Sequence, residues 1–328
     1  MKLAIVILNW NGTPLLKQFL PSVIEHSKEA EIYVADNAST DDSVTFVKTH
    51  FPSVKIIQNT ENGGYAKGYN DALKHVKADV FCLLNSDVEV TENWLTPIID
   101  TFKNNSNTVI LQPKILDFKN KAFFEYAGAA GGYIDKYGYP YCRGRIFETL
   151  EKDNGQYNDT TEIFWATGAC LFIKSDVYKK LEGFDASFFA HMEEIDLCWR
   201  AKNQGYSIKY VGTSTVYHVG GATLNAINPK KTYLNFRNSL YTLTKNAKGS
   251  LCYIIFIRLI LDGIAAIKFL FELKPKHTFA ILRAHFSYYA NLKRLLKQRK
   301  RVKNKIIYYK KTSVVIDYFV NKNRYYKS

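Results

Sequence analysis

A chain of 328 residues exceeds the usual single-domain size, so one large α/β domain with an appendage is the natural expectation. With 47% hydrophobic residues there is ample material for a core, and no low-complexity tract argues for disorder. The net charge of +15 sits entirely in the tail: residues 274–328 carry 16 Lys/Arg and one acid, Asp317, while residues 1–273 hold 29 of each sign. A neutral body with a basic tail gives the tail a partner of its own. The five cysteines (Cys82, Cys142, Cys170, Cys198, Cys252) are scattered, odd in number and never in a C-x-x-C pair. That pattern argues against a zinc site and reads as reduced, buried thiols suited to the cytosol.

The chain opens on an apolar run from Leu3 to Leu8 that Asn9-Trp10-Asn11-Gly12 stops at strand length, without a small-residue cleavage site. It reads as a buried strand and not as a secretory signal. Strands are expected at 3–8, 31–35, 54–58 and 80–84, with helices at 13–26, 42–50 and 65–76 between them. Such alternation predicts a parallel sheet built from right-handed βαβ units, with ligands beyond the carboxyl ends of its strands. Three of the four strands end on polar residues there: Asn9-Trp10-Asn11, Asp36-Asn37-Ala38-Ser39 and Asn85-Ser86-Asp87.

From 123 to 157 six glycines and many tyrosines follow no period, which predicts irregular, mobile loops and hairpins over the active face. Order returns at 163–173, and a strand is expected near 207–211, ahead of Tyr217-His218-Val219-Gly220-Gly221. Residues 251–273 are long enough to span a bilayer, but Arg258 and Asp262 at mid-segment favour an interfacial helix. Phe279, Leu282, Phe286, Tyr289, Leu292 and Leu296 then recur at helical spacing, followed by a polybasic run over 293–305. Apolar stripe plus polybasic segment suits an anionic membrane surface. A merely solvated helix face is the plainer alternative. Nucleic acid is the competing partner, kept alive by Tyr308-Tyr309-Lys310-Lys311 but disfavoured by a neutral body with acids on its active face.

The densest chemistry lies in Phe189-Ala190-His191-Met192-Glu193-Glu194-Ile195-Asp196-Leu197-Cys198-Trp199-Arg200. Helical spacing pairs Asp196 with Arg200 and sets Glu194 on another face. Three acids so close should raise the pKa of at least one of them, as a general base requires, though acids also favour a helix start on dipole grounds. Asp36, after the second strand, is placed to accept hydrogen bonds from a ribose or base; helix capping by Ser39 or Asp41 is compatible with that. Asn62-Gly63-Gly64-Tyr65-Ala66-Lys67-Gly68-Tyr69-Asn70 puts glycines ahead of a helix start, suiting close approach of a phosphate-bearing ligand. It matches neither G-x-G-x-x-G nor the Walker A loop. Asp87 suits Mg²⁺ or Mn²⁺ shared with a diphosphate, and His218 could complete that site, although a lone histidine is more often structural.

Together the segments Ile5-Val6-Ile7-Leu8-Asn9-Trp10-Asn11, Val34–Asp41, Asn62–Asn70, Leu84-Asn85-Ser86-Asp87 and Glu193–Leu197 resemble the family 2 inverting glycosyltransferases, most closely the rhamnosyltransferase-like branch. The likeness runs from residue 3 to about 224. It implies a GT-A fold, a Rossmann-like, mostly parallel mixed sheet flanked by helices, to which the chain adds a C-terminal helical, membrane-associating extension. The expected division is a nucleotide-sugar-binding half at 1–110, an acceptor-binding half at 111–225 and the basic helical region at 226–328.

The resemblance also implies roles. Asp36 would contact base and ribose. Asp87 matches the last acid of a D-x-D metal motif in which Asn85 replaces the first, and His218 matches a histidine that completes the metal site. Glu194 matches the catalytic base, a position more often Asp, with Glu193 beside it. Trp165 and Gly168 belong to a segment lining the donor and acceptor pocket, and Asn9, Asn11, Gly63, Gly64, Lys67, Asn70, Asn85, Ser86 and Asp196 complete the expected substrate-binding set. The implied activity moves a sugar from a nucleoside-diphosphate donor (dTDP-rhamnose or a UDP-hexose) to a lipid-linked saccharide of a surface polysaccharide, with a divalent cation as cofactor. The implied location is the cytoplasmic, inner face of the cell membrane. The alternative is a degenerate transferase that holds saccharide or nucleotide without turnover.

Overall fold

The structure is a computed structural model that describes residues 1–220, 228–302 and 304–327. The described residues form thirteen strands. The first six are β1 (Leu3–Asn9), β2 (Ala30–Asp36), β3 (Lys55–Gln58), β4 (Val80–Asn85), β5 (Val88–Val90) and β6 (Thr108–Asp117). Then come β7 (Gly132–Ile134), β8 (Pro140–Cys142), β9 (Arg145–Ile146), β10 (Thr149–Leu150), β11 (Thr160–Glu162), β12 (Cys170–Lys174) and β13 (Ser207–His218). The N-terminal half carries helices α1 (Thr13–Glu25), α2 (Ser43–His50), α3 (Gly64–Ala72) and α4 (Leu95–Asn104). The remainder carries α5 (Ser175–Lys180), α6 (Glu193–Asn203), α7 (Pro229–Asn246), α8 (Leu251–Phe271), α9 (Pro275–Arg301) and α10 (Val314–Phe319).

The main sheet runs β11-β13-β6-β12-β4-β1-β2-β3, with β5 also paired to β13. The half formed by β4-β1-β2-β3 is parallel, as the strand–helix alternation predicts. Only β11, β5 and β12 run antiparallel to their neighbours. The first four strands and three helices fall within a few residues of the predicted bounds, because each apolar run ends on a residue that leaves the sheet. Helix α1 shows the same logic: Pro14 stands in its first turn, and Leu16, Phe19, Leu20 and Val23 bury one face.

The Gly- and Tyr-rich stretch differs from the expectation of mobile loops. It forms the four-stranded sheet β10-β9-β8-β7, and Phe124, Tyr133, Tyr141 and Ile146 are buried in the main core. The glycines are there for close packing: a side-chain carbon on Gly132 would collide with the Trp165 indole, and one on Gly144, at φ +84°, with Phe124. The core also runs on through the expected boundary at 225/226, since Leu240, Tyr241 and Leu243 of α7 belong to the same buried cluster as Leu83 and Leu171.

In α8 the two mid-segment charges turn inward. Arg258 and Asp262 are buried and paired at 2.6 Å; Tyr139 Oη donates to Asp262 at 2.8 Å, and Arg258 donates to Ser239 Oγ at 2.6 Å. Phe256, Ile260, Ile264, Ile267 and Phe271 face outward instead. No described helix is long and apolar enough to cross a membrane. The last residues are tied down: Tyr308 Oη donates to Lys136 O at 2.7 Å, the Val314 amide to Asp135 Oδ2 at 2.9 Å, and Tyr326 stacks on Tyr133. Four of the five cysteines are buried as expected, whereas Cys252 is exposed.

Candidate active site

The ends of β1, β2 and β4 meet as one polar floor. Asn9 Nδ2 donates to Asp36 Oδ1 at 3.1 Å, the Ser39 amide donates to Asp36 Oδ2 at 2.9 Å, and the Asn11 amide donates to Ser39 Oγ at 2.8 Å. Asn11 and Ala38 are both held at positive φ, the kind of strained conformation that concentrates at functional sites. Asn9 Oδ1 is buried without a hydrogen-bond partner, and Trp10 beside it is 49% exposed.

Gly63 and Gly64 open α3. Gly64 sits at φ +74°, and a side-chain carbon there would strike Phe189 O and its ring, so the position accepts only glycine. Asn37 fixes this turn by donating to Asn62 Oδ1 and Gly64 O. Lys67 lies on the outer face of α3 in ion pairs with Glu61 and Asp71. Asn70 is occupied internally, accepting from Tyr178 Oη at 2.6 Å and from the Phe184 amide at 2.9 Å while donating to Phe184 O.

Beyond β4, Asp87 is 5% exposed and its Oδ1 lies 3.2 Å from His218 Nε2; Asn85 Nδ2 is 3.4 Å from the same nitrogen. Glu125, which sequence reasoning missed, approaches the other ring nitrogen, with Oε1 3.4 Å from Nδ1. That separation lacks hydrogen-bond geometry, and Nδ1 has no hydrogen-bond partner. Burial pulls the imidazole down, but Glu125 and Asp87 outweigh it and lift the pKa to about 10. A carboxylate and an imidazole nitrogen aimed at each other, with an amide beside them, are a donor set that fits Mg²⁺ or Mn²⁺. Among the described residues no group of three or more acids, histidines or thiols is placed to hold a metal ion by itself.

The link from this corner to the acidic motif is short. The Asn85 amide donates to Ala169 O at 3.0 Å, and Tyr65 Oη donates to Gly168 O at 2.8 Å. Tyr65 stands beside Glu193 and Glu194, whose charges add to its burial in raising its own pKa. Both glutamates start α6, each with Oε2 buried and unpartnered. Burial lifts Glu194 to about 7, and burial with repulsion from Glu194 lifts Glu193 well above the ordinary range.

Two expected substrate contacts are corrected. Asp196 is fully buried and committed to the frame, accepting from Arg200 Nε at 2.8 Å, Lys245 Nζ at 2.9 Å and Asn246 Nδ2 at 2.8 Å. Burial would raise it, but Lys245 and Arg200 hold it below the usual carboxylate range. Trp165 is 2% exposed and donates to Tyr133 O at 2.8 Å, so its indole packs against the small sheet and not into an open pocket. Ser86 and Asn85 stay partly exposed at the floor, as does Gly168. Gly221, the last residue of the segment after β13, lies outside the described residues.

Comparison with known proteins gives the family. The model of Glycosyl transferase family 2 matches residues 4–181, more than half of the chain. The chain belongs to that family. Its curated relatives include an N-acetylglucosaminyl-diphospho-decaprenol L-rhamnosyltransferase of Mycobacterium tuberculosis, 22% identical over 66% of this chain and 75% of that one. Another is the low-salt glycan biosynthesis hexosyltransferase Agl10 of Haloferax volcanii, 22% identical over 84% of this chain and 87% of that one. Among solved structures, GalNAc-T7 with UDP, GalNAc and Mn²⁺ superposes with a TM-score of 0.66 at 15% identity, over 98% of this chain and 57% of that one. The fold is therefore GT-A, with C-terminal helices added, and the chain is a glycosyltransferase.

Proposed function

We propose that the chain inverts the anomeric centre of a sugar as it passes from a nucleoside diphosphate, dTDP-rhamnose or a UDP-hexose, to a hydroxyl of a lipid-linked saccharide. The observation that carries this is the placing of Glu194 at the start of α6, with a buried Oε2 that has no hydrogen-bond partner and a pKa that burial pushes up, as a general base requires. Glu194 takes the proton of the acceptor hydroxyl as its oxygen attacks the anomeric carbon. The bond to the diphosphate breaks on the opposite face, and its electron pair leaves with the diphosphate. Asp36 and Asn9 form the floor for base and ribose, and the Gly63–Gly64 turn lets backbone approach the phosphates. Asp87 and His218, with Asn85 alongside, would hold a divalent cation, which offsets charge growing on the leaving diphosphate. Support for that cation comes from the donor set and from the Mn²⁺ in the GalNAc-T7 structure.

The lipid-linked acceptor is supported by the name of the mycobacterial relative and by the outer surface of the C-terminal helices. On α8, α9 and the turn between them, Phe256, Ile264, Phe271, Leu273, Phe279 and Phe286 are 58–88% exposed, with Lys268, Lys274 and Lys276 among them. An apolar ridge flanked by cations suits the inner, anionic face of a cell membrane. The deciding experiment for the transfer itself presents purified protein and Mn²⁺ with a panel of nucleotide sugars and scores released diphosphate. Turnover of one donor is expected; binding without turnover of any would leave a saccharide- or nucleotide-binding protein.

A further inference from the structure

The base-bearing loop is held in an unfavourable conformation by a helix that lies outside the matched family region. Phe189, His191 and Met192, the residues leading into Glu193, all have φ between +65° and +72°. Three non-glycine residues in the left-handed region within four positions need a surrounding frame that dictates them. On one side the frame is α3, where the Ala66 amide donates to Phe189 O at 3.3 Å and Gly64 leaves room for that carbonyl. On the other side it is α7.

Asn238 of α7 is fully buried, and its Nδ2 is shared among three carbonyls of the loop: Phe188 O at 3.0 Å, Ala190 O at 2.9 Å and His191 O at 2.7 Å. Its Oδ1 accepts from Arg237 Nε at 2.8 Å, which fixes which end of the amide faces the loop. Arg237 adds its own bonds to Ser187 O and Phe188 O, both at 3.0 Å. Seven and eight residues further along α7, Lys245 and Asn246 reach Asp196, one turn into the helix that begins with the glutamates. Thus α7 holds both the loop before Glu194 and the helix after it.

We infer that Asn238 is a positioning residue for catalysis: it sets the strained 188–192 turn so that Glu194 is enclosed and aimed, and so joins the base to the α3 turn at the phosphate end. The inference rests on the proposed role of Glu194. A conventional structural asparagine would be expected to satisfy the ends of its own helix or one neighbouring strand. Here one amide serves three consecutive-region carbonyls of the segment that carries the base.

The test compares wild type with N238A, using the donor that the panel selects. The readouts are kcat, donor KM, the pH profile of kcat, and affinity for Mn²⁺ with UDP or dTDP. Displacing a reacting group by about 1 Å costs around 10²-fold, so kcat should fall at least ~10-fold while nucleotide affinity changes little. With the turn loosened, water reaches Glu194, and the acidic limb of the profile should move to lower pH. Loss of folded protein would scale the rate and leave that limb in place. R237A keeps the buried amide but frees its orientation, on the part-exposed side of α7; it should shift kcat and the limb in the same direction to a smaller extent, and it serves if N238A does not fold. Unchanged kcat, or a lower rate with an unmoved limb, in the folded variant overturns the inference while leaving the transferase reading intact. A wild type that turns over no donor removes the transferase reading itself.

Discussion

At the scale of single residues, the enclosure that lifts the Glu194 carboxyl also acts on stability, and linkage gives the sign. Its pKa rises from 4.5 to about 7 on folding, so the folded state binds the proton more tightly than the unfolded chain does. That contribution is complete below pH 4.5 and is lost as pH rises toward 7, by on the order of 3 kcal/mol. Glu194→Gln cannot accept a proton, so turnover should fall at least ~10²-fold while nucleotide affinity holds. The same variant should melt higher than wild type at pH 8 and lose that advantage at pH 4.5, which calorimetry at both pH values would show. Equal activity of Glu194→Gln, with Glu193→Gln inactive, would move the base to Glu193. At the other corner, Asp87→Ala should abolish activity and His218→Ala should raise the Mn²⁺ concentration needed; full turnover in chelator would remove the metal from the reaction. Asp36 and Asp87 could be singled out because each follows an apolar run at a strand end, whereas His218 stood out only through its motif context. Glu125 was not, since it stands in an aperiodic Gly/Tyr stretch whose fold depends on packing against Trp165 and Phe124. Asp196 was half legible: Arg200 is its helical neighbour, but Lys245 and Asn246 come from 49 and 50 residues downstream, beyond any local pattern.

At the scale of elements, the first three βα units follow from period and punctuation, whereas the 123–157 stretch shows where such signals fail. Short strands of two or three residues carry no alternation to read, and their order comes from buried aromatics shared with the main core. The turn into α3 makes an element-level prediction. Gly64→Ala would need a left-handed alanine and would push against Phe189 O, so it should cost roughly 1–3 kcal/mol in stability. Because Phe189 belongs to the base-bearing loop, the same change should lower kcat as well as donor affinity. Gly205→Ala is the control: it shares positive φ but has nothing within 4 Å, so it should be strained yet leave kcat alone.

At the scale of the molecule, the charge asymmetry was plain in the sequence, but what the basic residues rest on was not. The end of the chain is folded back, with the Val314 amide on Asp135 and Tyr326 stacked on Tyr133 and Tyr141. Removing residues 306–328 should therefore lower the melting temperature by several degrees, since it strips a hydrogen bond from a buried carboxyl and uncovers the Tyr133 and Tyr141 rings. Membrane contact should instead follow the α8–α9 surface. Phe271→Asp with Leu273→Asp, at 84% and 88% exposure, should abolish co-sedimentation with anionic vesicles and leave donor hydrolysis unchanged. Equal sedimentation of wild type and variant would assign the exposed ridge to a different partner. Binding that survives high salt would come from the apolar residues, and binding that fades would come from the cations.

The inward pair Arg258–Asp262 has a mechanical consequence. Tilting α8 away from the body would break the bonds from Tyr139 and Ser239 to the buried Arg258–Asp262 pair and strip the pair of its enclosure. A protein seated on a bilayer by the outer face of this helix therefore rests on a stiff foot and not on a tether. The height of Glu194 above the lipid would be constant, and the enzyme would act as a gauge: a glycan too short to reach that height, or too long to bend back to it, would go unextended whatever its terminal sugar.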